Sequence, residues 1–404
     1  MSTPLRLAHL VSHPVQYFAP LYREIASRPE VDLTVYFYSD ATAREFHDTG
    51  FGRPIAWDTP LLDGYDARFL PSAERTRISG PFLRRTNLDI VREIATGRYD
   101  ALWVHGYAHV TTWLAAATAR ARGMRVLIRD EQTLLHGRTP HKRALKEVAL
   151  RALYSQAHGL YIGEENRAYF KHYGMPDHRL HAARYCVDNE FFRTKAAGLA
   201  PLRADVRAAF GIEGETPVVL FAGKLIEKKQ PMLLIEAFAK VRAAQPCALL
   251  IAGDGPLRNE AEALAAHLGV PGVHFAGFMN QTELPAAYAA ADIFVLPSQL
   301  HETWGLVVNE AMNFALPIVV SDKVGCGADL VEPGRNGFIV PHSDAEALAG
   351  AIAQLAGDAE MRARFGARSR TIVERYSIES AADGIVAACA GERQGVATPA
   401  MAGR

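Results

Sequence analysis

Two glutamates in the second half of the chain, Glu302 and Glu310, have a spacing that restricts the chemistry they can share. In a single helix, their eight residue steps would correspond to about 12 Å along the axis and a turn of about 80°. Carboxylates so far apart cannot act together on one atom, but they can contact opposite ends of an elongated ligand. Gly305 between them favours a helix that begins there, which would leave the backbone amides of Trp304, Gly305 and Leu306 free.

Two lysines, Lys224 and Lys229, follow an apolar strand that the sequence predicts over 218–222 and that ends at Gly223. A glycine turn that leads into a helix presents backbone amides and the positive end of the helix dipole, and ammonium groups add charge. This arrangement suits a phosphate group. Taken alone, the two lysines fit an exposed loop without a ligand at least as well, because charged loop residues are usually solvated.

Two more predicted strands of the second half also end in glycine turns, one at Gly253 and one at Gly277, just before Met279. By itself, each turn shows only that the backbone bends tightly where a sheet ends. Ligands of open α/β sheets bind outside the carboxyl ends of the strands. We therefore take Gly253 and Met279 as candidate walls of a ligand pocket, and the exit at Met279 could face a nucleobase.

In the first half, polar side chains follow three predicted strands, where they could contact a second substrate. The candidates are His13, Gln16, His105, Asp130 and Glu131. Residues at the carboxyl ends of such strands serve ligands or the fold with similar frequency. A structural role for each of the five residues is therefore left open.

These residues need two sheets to position them. Short apolar runs alternate with helical periods along both halves, which predicts two Rossmann-like α/β domains with parallel sheets that face each other across a cleft. We expect a first domain over 1–195, a linker within 193–205 and a second domain over 206–375. The stretch 40–81, rich in Gly, Pro, Asp and Arg, is predicted to be a long excursion beside the first sheet.

Charge and composition exclude several functional classes. The net charge is zero, which argues against a nucleic-acid partner. The first 195 residues carry 27 Lys and Arg against 21 Asp and Glu, and the remainder carries 17 against 23, so the halves have net charges of +6 and −6. The four cysteines form no C-x-x-C pair, and no apolar run is long enough for a signal peptide or a membrane span. We therefore expect a cytoplasmic protein.

The second half resembles a known family. The run 218–341 is similar to the family 4 glycosyltransferases: it has their strand–Gly–basic segment, their Ala-Gly-Asp-Gly-Pro turn, their E-x7-E element with Glu-Ala-Met, and their Asn-Gly-Phe-Ile-Val-Pro segment. The resemblance implies a GT-B fold, a hexosyltransferase-type activity with a nucleotide-diphosphate sugar donor, UDP-sugar by default, and retention of the anomeric configuration without a metal or other cofactor. The absence of a D-x-D sequence agrees with metal independence. It also implies that the helix 376–390 crosses back to the first domain.

Site roles follow from the same resemblance. Lys229 looks like the diphosphate-binding lysine of the family. Lys224 stands where relatives usually have arginine; lysine keeps the positive charge but lacks the bidentate fork of the guanidinium group. Glu310 would accept hydrogen bonds from the ribose, and Glu302 would contact the donor sugar. The amides of the 304–306 turn would help to hold the sugar and the diphosphate. The glycine-rich loop that relatives carry after the first strand is absent here, which puts a phosphate contact by residues 12–17 in doubt.

Three alternatives share this fold. A phosphorylase would need a lysine that holds pyridoxal phosphate, for which no motif is present. A sugar-nucleotide epimerase would lack the E-x7-E element, and a non-catalytic nucleotide-sugar-binding protein would be expected to have lost Lys229, Glu302 or Glu310. Transfer to an acceptor hydroxyl in glycan, glycolipid or glycoconjugate biosynthesis is therefore the preferred interpretation.

The acceptor is the least defined partner. A small molecule, a sugar or a lipid-linked sugar would each fit. Residues 138–151 form a basic amphipathic stretch that could lie on anionic lipid at the inner face of the membrane. An ordinary solvated helix face explains this stretch better, because charge runs are common.

Overall fold

The computed structural model describes residues 3–76, 82, 86–135 and 140–390, and of residues 140–145 only the backbone. The chain forms two α/β domains, each built on one parallel sheet. This confirms the predicted fold class of two Rossmann-like domains.

The central strands of the first sheet are mostly buried, whereas its two edge strands are not. The strands of the first half are β1 (Leu5–Val11), β2 (Val31–Phe37), β3 (Phe46–Asp48), β4 (Arg53–Ile55), β5 (Asp66–Phe69), β6 (Ala101–His105), β7 (Arg125–Arg129), β8 (His158–Tyr161) and β9 (Leu180–Ala182). Seven of them pair in parallel in the order β5-β2-β1-β6-β7-β8-β9, and β3 and β4 form a separate antiparallel hairpin. The carboxyl ends of β1, β6 and β7 therefore meet at one edge.

Amphipathic helices connect these strands. They are α1 (Ala19–Ala26), α2 (Asp89–Thr96), α3 (Val110–Ala121), α4 (Pro140–Tyr154) and α5 (Glu164–His172). The apolar residues of α1, among them Leu21 and Ile25, are buried against the sheet. Such strand–helix–strand crossovers return the chain to the same end of the sheet, which allows successive strands to run in the same direction.

The second sheet repeats the pattern with six strands. They are β10 (Val218–Ala222), β11 (Ala248–Ala252), β12 (Val273–Gly277), β13 (Ile293–Leu296), β14 (Ile318–Ser321) and β15 (Gly337–Val340), ordered β12-β11-β10-β13-β14-β15. The remaining helices are α6 (Asn189–Leu199), α7 (Arg203–Ala209), α8 (Pro231–Ala244), α9 (Arg258–His267), α10 (Leu284–Ala290), α11 (Leu306–Asn313), α12 (Gly327–Leu330), α13 (Ala345–Gly357), α14 (Ala359–Val373) and α15 (Ile378–Ala390). Strands β10, β11, β13 and β14 are buried along their whole length, as parallel strands covered on both faces must be.

Two segments contain elements that the sequence did not indicate. The 193–205 stretch, expected to be a linker, lies mostly in α6 and α7, and its role as a linker stays a prediction. Helix α7 is fixed to the second domain because Arg203 and Arg207 both pair with Asp292, at 2.7 and 2.6 Å. The 40–81 excursion contains an edge strand of the first sheet, β5, together with the β3–β4 hairpin. Its polar composition concealed both elements.

Helix α15 lies on the first domain. It packs against α1 and β9, and Arg125 at the start of β7 donates a hydrogen bond to the carbonyl of Ala388 at 2.8 Å. Arg28 at the end of α1 pairs with Asp383 at 2.7 Å. Helix α15, which follows the second domain in the sequence, is therefore packed on elements of the first domain.

In the part of the chain that the structure describes, no helix is long and apolar enough to cross a membrane. The basic stretch 138–151 falls partly outside the described residues. Arg138 is not described, and neither are the side chains of Lys142 and Arg143. Of the rest, Lys146 has its ammonium 4.9 Å from the centre of the Tyr107 ring, and Arg151 pairs with Glu147 at 2.9 Å. Membrane contact by this stretch stays a prediction.

Candidate functional site

A cavity of about 230 Å³ lies at the carboxyl ends of β10 and β11, between the two domains. The second domain lines it with Gly223, Lys224, Gly253, Phe278, Met279, Asn280, Gln281, Leu284, Val307 and Glu310, and the first domain with Gln16, Tyr17, Phe51 and Trp57. The structure thus brings together five of the residues singled out in the second half with one of those in the first half.

Glu310, on α11, forms part of the cavity wall and is 1% exposed. Tyr288 of α10 donates a hydrogen bond to its carboxylate at 2.7 Å, and Tyr17 of the first domain donates another. Burial raises the pKa of Glu310 to about 7, although both hydrogen bonds act in the opposite direction. A carboxyl group in this position can accept further hydrogen bonds from a polyol such as a ribose, and it does so best when ionised.

Glu302 lies in the loop between β13 and α11 and is paired with cations. Its Oε2 is 2.5 Å from Nζ of Lys229 and 3.6 Å from Nζ of Lys228, and the Ser298 hydroxyl donates to it at 3.1 Å. Burial alone would raise the pKa of Glu302, but the charges of Lys229 and Lys228 and these hydrogen bonds outweigh it, so the pKa is lowered. The carboxylate is therefore held ionised beside the start of α11.

The start of α11 depends on Gly305. Its φ of 106° lies in the left-handed region, and a side chain here would bring a Cβ atom to 2.9 Å from Leu296 Cδ2. Trp304 places its indole inside the protein, where Nε1 donates to Asn309 at 2.9 Å, and Leu306 begins the helix. The predicted helix start is observed: Gly305 is the N-cap residue and Leu306 is the first residue of α11.

The strand exits of the second sheet meet one another beneath the cavity. The amide of Gly223 donates to the carbonyl of Ala252 at 2.9 Å. A Cβ atom added at Gly253 would lie 1.8 Å from the carbonyl oxygen of Gly223. Only a residue without a side chain allows the two turns to approach so closely. Gly223, Gly253 and Met279 all line the cavity, as the sequence suggested for a ligand pocket.

Lys224 has a partner that the sequence did not reveal. Its ammonium lies 2.8 Å from both carboxylate oxygens of Asp48, at the end of β3 in the first domain. The second predicted phosphate-binding lysine is thus engaged in an ion pair between the domains.

The acceptor-side candidates collect at the carboxyl edge of the first sheet. His105 Nε2 lies 3.4 Å from Glu131 Oε1. Burial acts to raise the pKa of Glu131, but the hydrogen bond from His105, the charge of Arg129 and a hydrogen bond from Tyr185 lower it overall. His105, the last residue of β6, and Glu131, on the loop after β7, therefore form one polar pair in which the Glu131 carboxylate is ionised.

His13 and Gln16 follow β1, as expected. His13 is within hydrogen-bond distance of the Ser12 hydroxyl at 2.7 Å, and burial, together with the charge of His105, lowers its pKa to about 4. Its imidazole is therefore neutral at physiological pH and able to accept or donate one hydrogen bond. Gln16 is 8% exposed and lines the cavity beside Tyr17.

Asp130 differs from its neighbour Glu131. It is 2% exposed, accepts hydrogen bonds from the Tyr154 hydroxyl of α4 and from Asn166 Nδ2 of α5 at 2.9 Å, and burial raises its pKa to about 6. These bonds tie β7 to two helices. Its contacts favour a structural role over the alternative in which it orients an acceptor hydroxyl.

Sequence reasoning missed several residues of the cavity. Tyr17 and Tyr288, the partners of Glu310, belong to no motif that sets them apart from other aromatic residues. Phe51 and Trp57 come from the 40–81 excursion, whose unusual length and aromatic content were the available signal. Asp48, the partner of Lys224, had no signal at all, because its partner is 176 positions away.

Among the described residues, no group of three or more His, Cys, Asp or Glu side chains is arranged to hold a metal ion. All four cysteines are buried and free. The cavity offers the Glu310 carboxylate, the Lys224 ammonium, side-chain amides and aromatic rings, a set of groups that suits part of a polar organic ligand.

Comparisons with known proteins agree with this chemistry. Residues 203–372 match the model of the family described as glycosyl transferases group 1. The chain is 32% identical over 212 residues to the alpha-D-kanosaminyltransferase of Streptomyces kanamyceticus, covering 52% of this chain and 53% of that protein. It is 35% identical over 179 residues to the lipopolysaccharide core biosynthesis glycosyltransferase LpsE of Rhizobium meliloti, covering 44% and 51%. The chain spans about half the length of the curated relatives it matches.

Solved structures match over nearly the whole chain. A glycosyltransferase from Rickettsia africae has a TM-score of 0.72 at 14% identity, covering 95% of this chain and 97% of that one. HepE of Anabaena, solved in complex with UDP and glucose, has a TM-score of 0.69 at 18% identity, covering 95% and 98%. These likenesses confirm the GT-B fold. The family match confirms the resemblance of the second domain at the level of group 1 glycosyl transferases.

Proposed function

We propose that the protein is a retaining glycosyltransferase that moves a sugar from a nucleotide-diphosphate donor to an acceptor hydroxyl. The observation that carries the proposal is the placement of Glu310 and the Lys229–Glu302 pair. One lies in the wall of the cavity between the domains, and the other lies beside the first turn of α11. A donor that stretches from Glu310 to this turn would put its nucleoside in the cavity and its diphosphate near the lysines.

The donor end is supported by charge. Lys229 and Lys228 converge on Glu302, so an anion that arrives here meets two ammonium groups and the positive end of a helix. Glu310 offers a carboxylate to ribose hydroxyls. HepE, which shares the fold, was solved with UDP and glucose, and this supports uridine as the first base to test.

The proposed reaction uses these charges in its transition state. The bond between the anomeric carbon and the diphosphate oxygen breaks, and negative charge grows on the diphosphate, where Lys229 and the amides of residues 304–306 stabilise it. The acceptor oxygen bonds to the anomeric carbon on the same face, and its proton passes to a diphosphate oxygen. No metal ion or other cofactor takes part.

A double displacement would require a carboxylate that attacks the far face of the sugar. Glu302 is 7% exposed, and its Oε2 already contacts Lys229 and the Ser298 hydroxyl. A carboxylate tied down in this way is better suited to anchoring the sugar and orienting Lys229 than to forming a covalent bond. We therefore favour front-face transfer.

For the acceptor, we propose that His105 and Glu131 orient a hydroxyl group across the cleft from the donor. Glu131 keeps a negative charge and the two side chains are 3.4 Å apart, so the pair can accept one hydrogen bond and donate another. Two relatives are named for kanosamine transfer and for lipopolysaccharide core biosynthesis. An acceptor in glycoconjugate biosynthesis, either a small molecule or lipid-linked, is consistent with both.

A thermal-shift panel of nucleoside diphosphates and their sugars tests the proposal. We expect one nucleoside diphosphate to raise the melting temperature, the matching donor to be hydrolysed slowly, and NMR of the product to show the anomeric configuration of the donor. If no nucleoside diphosphate stabilises the protein, the transferase proposal is wrong. Nucleotide binding without hydrolysis or transfer would favour a non-catalytic binder, and an inverted product would exclude retention.

A further inference from the structure

A segment of the first domain, residues 46–59, reaches across the cleft and is bound to the second domain. We name it the bridging segment. It contains the β3–β4 hairpin and the residues that follow it. The side chain of Asn280 donates a hydrogen bond to the carbonyl of Ala56 at 2.8 Å, and the amide of Thr282 donates to Asp58 at 2.9 Å. The segment therefore covers the loop that follows β12.

The hairpin is anchored by Asp48. Its two carboxylate oxygens each lie 2.8 Å from Lys224 Nζ, and Oδ1 also accepts the amides of Gly50 and Phe51 at 2.8 and 3.1 Å. Burial acts to raise the pKa of Asp48, but Lys224 and the two amides lower it overall. The carboxylate thus shapes the hairpin turn and ties it to the second domain at the same time.

This anchoring places two aromatic rings in the cavity. The ring of Phe51 lies 4.9 Å from that of Phe278 in an edge-to-face contact, and the ammonium of Lys224 is 4.8 Å from the centre of Phe51. Trp57, farther along the segment, lines the same cavity and packs against Phe46 at 5.9 Å. The side chains of Phe51 and Trp57 are both only partly buried. Apolar packing alone would favour their complete burial.

The size of the cavity indicates what the rings face. About 230 Å³ is less than the roughly 300–1,000 Å³ of sites that enclose a whole small molecule, so the cavity takes one part of a larger ligand. A ribose placed against Glu310 leaves the remaining space, next to Phe51 and Trp57, to a planar base. Aromatic side chains stack favourably on every base.

We propose that the bridging segment is part of the nucleotide-binding site: Phe51 and Trp57 contact the nucleoside of the donor, and the Asp48–Lys224 ion pair positions them there. The proposal rests on the proposed function, since it takes the cavity as the donor site. It gives the first domain a direct share in recognising the donor nucleotide, and it makes Lys224 a positioning residue.

Isothermal titration of the full chain tests the proposal, with the nucleoside diphosphate that the parent binds most tightly among those of uracil, guanine, adenine and thymine. Phe51→Ala and Trp57→Ala should each raise the Kd about tenfold, the loss of one aromatic contact with a base. Phe69→Ala, at an exposed phenylalanine of β5 that does not line the cavity, is the control and should leave the Kd unchanged. Equal affinity of the parent and both cavity variants would overturn the proposal.

A fluorescence measurement distinguishes the loss of a ring contact from the misfolding of a variant. Binding should quench the emission of Trp57, and Trp57→Phe, which keeps an aromatic ring, should lose the quench while still binding in the calorimeter. A quench that persists in Trp57→Phe would overturn the contact at this residue. If the parent itself binds none of the four diphosphates, the proposed function fails first. Binding by the parent with no effect of the variants removes only the present inference.

Asp48→Asn distinguishes two roles of Asp48: it could position the bridging segment, or it could only occupy Lys224 and keep a diphosphate away from it. Asparagine can still accept the two amide hydrogen bonds of the turn, so the hairpin is kept while the charge is removed. If Asp48 positions the segment, the variant should weaken the binding of the free nucleoside and of its diphosphate by a similar factor. If Asp48 only occupies Lys224, the variant should tighten diphosphate binding, and that result would overturn the role of the ion pair.

Discussion

Lys229 Nζ lies 2.5 Å from Oε2 of Glu302, and both side chains are largely enclosed by protein. Each group neutralises the other before any donor is present, with Lys228 nearby as a second cation. A diphosphate that binds here would share Lys229 with Glu302. The pair therefore fixes the Lys229 side chain at the position where the leaving group is expected.

Lys229→Met should abolish activity and also destabilise the protein. Removal of one partner from a buried pair leaves the other charge uncompensated, which costs about 3–5 kcal/mol, and we expect the lower part of this range because Lys228 remains. The melting temperature measured without a ligand reports the cost. The pKa of Glu302 should rise in this variant, since the largest influence that lowers it is lost.

The double variant Lys229→Met with Glu302→Gln is the matched control. With the carboxylate removed as well, most of the lost stability should return, while activity stays absent. Should the double variant melt lower than Lys229→Met, the ion pair is not the source of the stability loss.

Nucleotide binding should depend on the ionisation of Glu310. Burial raises the pKa of this group to about 7, so the protein without a ligand holds a proton there in part of its population at neutral pH. Ribose hydroxyls donate best to the ionised carboxylate, so binding should release a proton. The affinity for a nucleoside diphosphate should weaken as the pH falls from 8 to 6, and titration in buffers of different ionisation enthalpy should detect the proton.

The same group has a predictable effect on stability. The pKa of Glu310 in the folded state lies above its ordinary value of 4.5, so the folded protein binds this proton more tightly than the unfolded chain. Its contribution therefore favours folding at low pH and is lost as the pH rises from about 4.5 to 7. Glu310→Gln should remove both this dependence and the proton release. An unchanged proton release in Glu310→Gln would show that another group titrates.

Gly305→Ala should impair the donor site through the backbone. The position has a φ of 106°, and a Cβ atom would lie 2.9 Å from Leu296, so the first turn of α11 must shift. We expect a loss of about 1–3 kcal/mol in stability and weaker nucleotide binding. Gly350→Ala is the control, because this glycine lies inside α13 with open space around it, and alanine should stabilise the helix by about 0.5–1 kcal/mol. Equal melting temperatures for the two variants would contradict the argument.

The fold was largely predictable because its signals are local. Buried parallel strands such as β10 are continuous apolar runs bounded by glycine, and both the sheet type and the helix start at Gly305 follow from such patterns. The helices within 193–205 were not predicted. The contacts of Arg203 and Arg207 in α7 with Asp292, more than 80 positions away, are tertiary and leave no local signal.

Only the second-domain residues of the candidate site were predictable. Lys229 and Glu302, which pair in the structure, and Glu310, which lines the cavity, belong to one ordered set of motifs. Asp48 and Lys224 are brought together by the closure of two domains, which no pattern within either segment encodes. The same limit applied to Tyr17, whose contact with Glu310 also crosses the cleft.

Two adjacent carboxylates, Asp130 and Glu131, should give opposite phenotypes. Glu131, with His105 at 3.4 Å, follows β7 at the carboxyl edge of the first sheet and is proposed to orient the acceptor. Glu131→Gln should therefore raise the KM for the acceptor and lower the rate of transfer at least tenfold, while donor hydrolysis and nucleotide affinity stay close to those of the parent. Asp130 is buried among Tyr154 and Asn166, so Asp130→Asn should lower the melting temperature, with little change in the acceptor KM of the protein that remains folded. Transfer and hydrolysis measured side by side decide between the two roles. If Glu131→Gln reduced both rates equally, the residue would act on the donor or on the fold, and the acceptor assignment would be wrong.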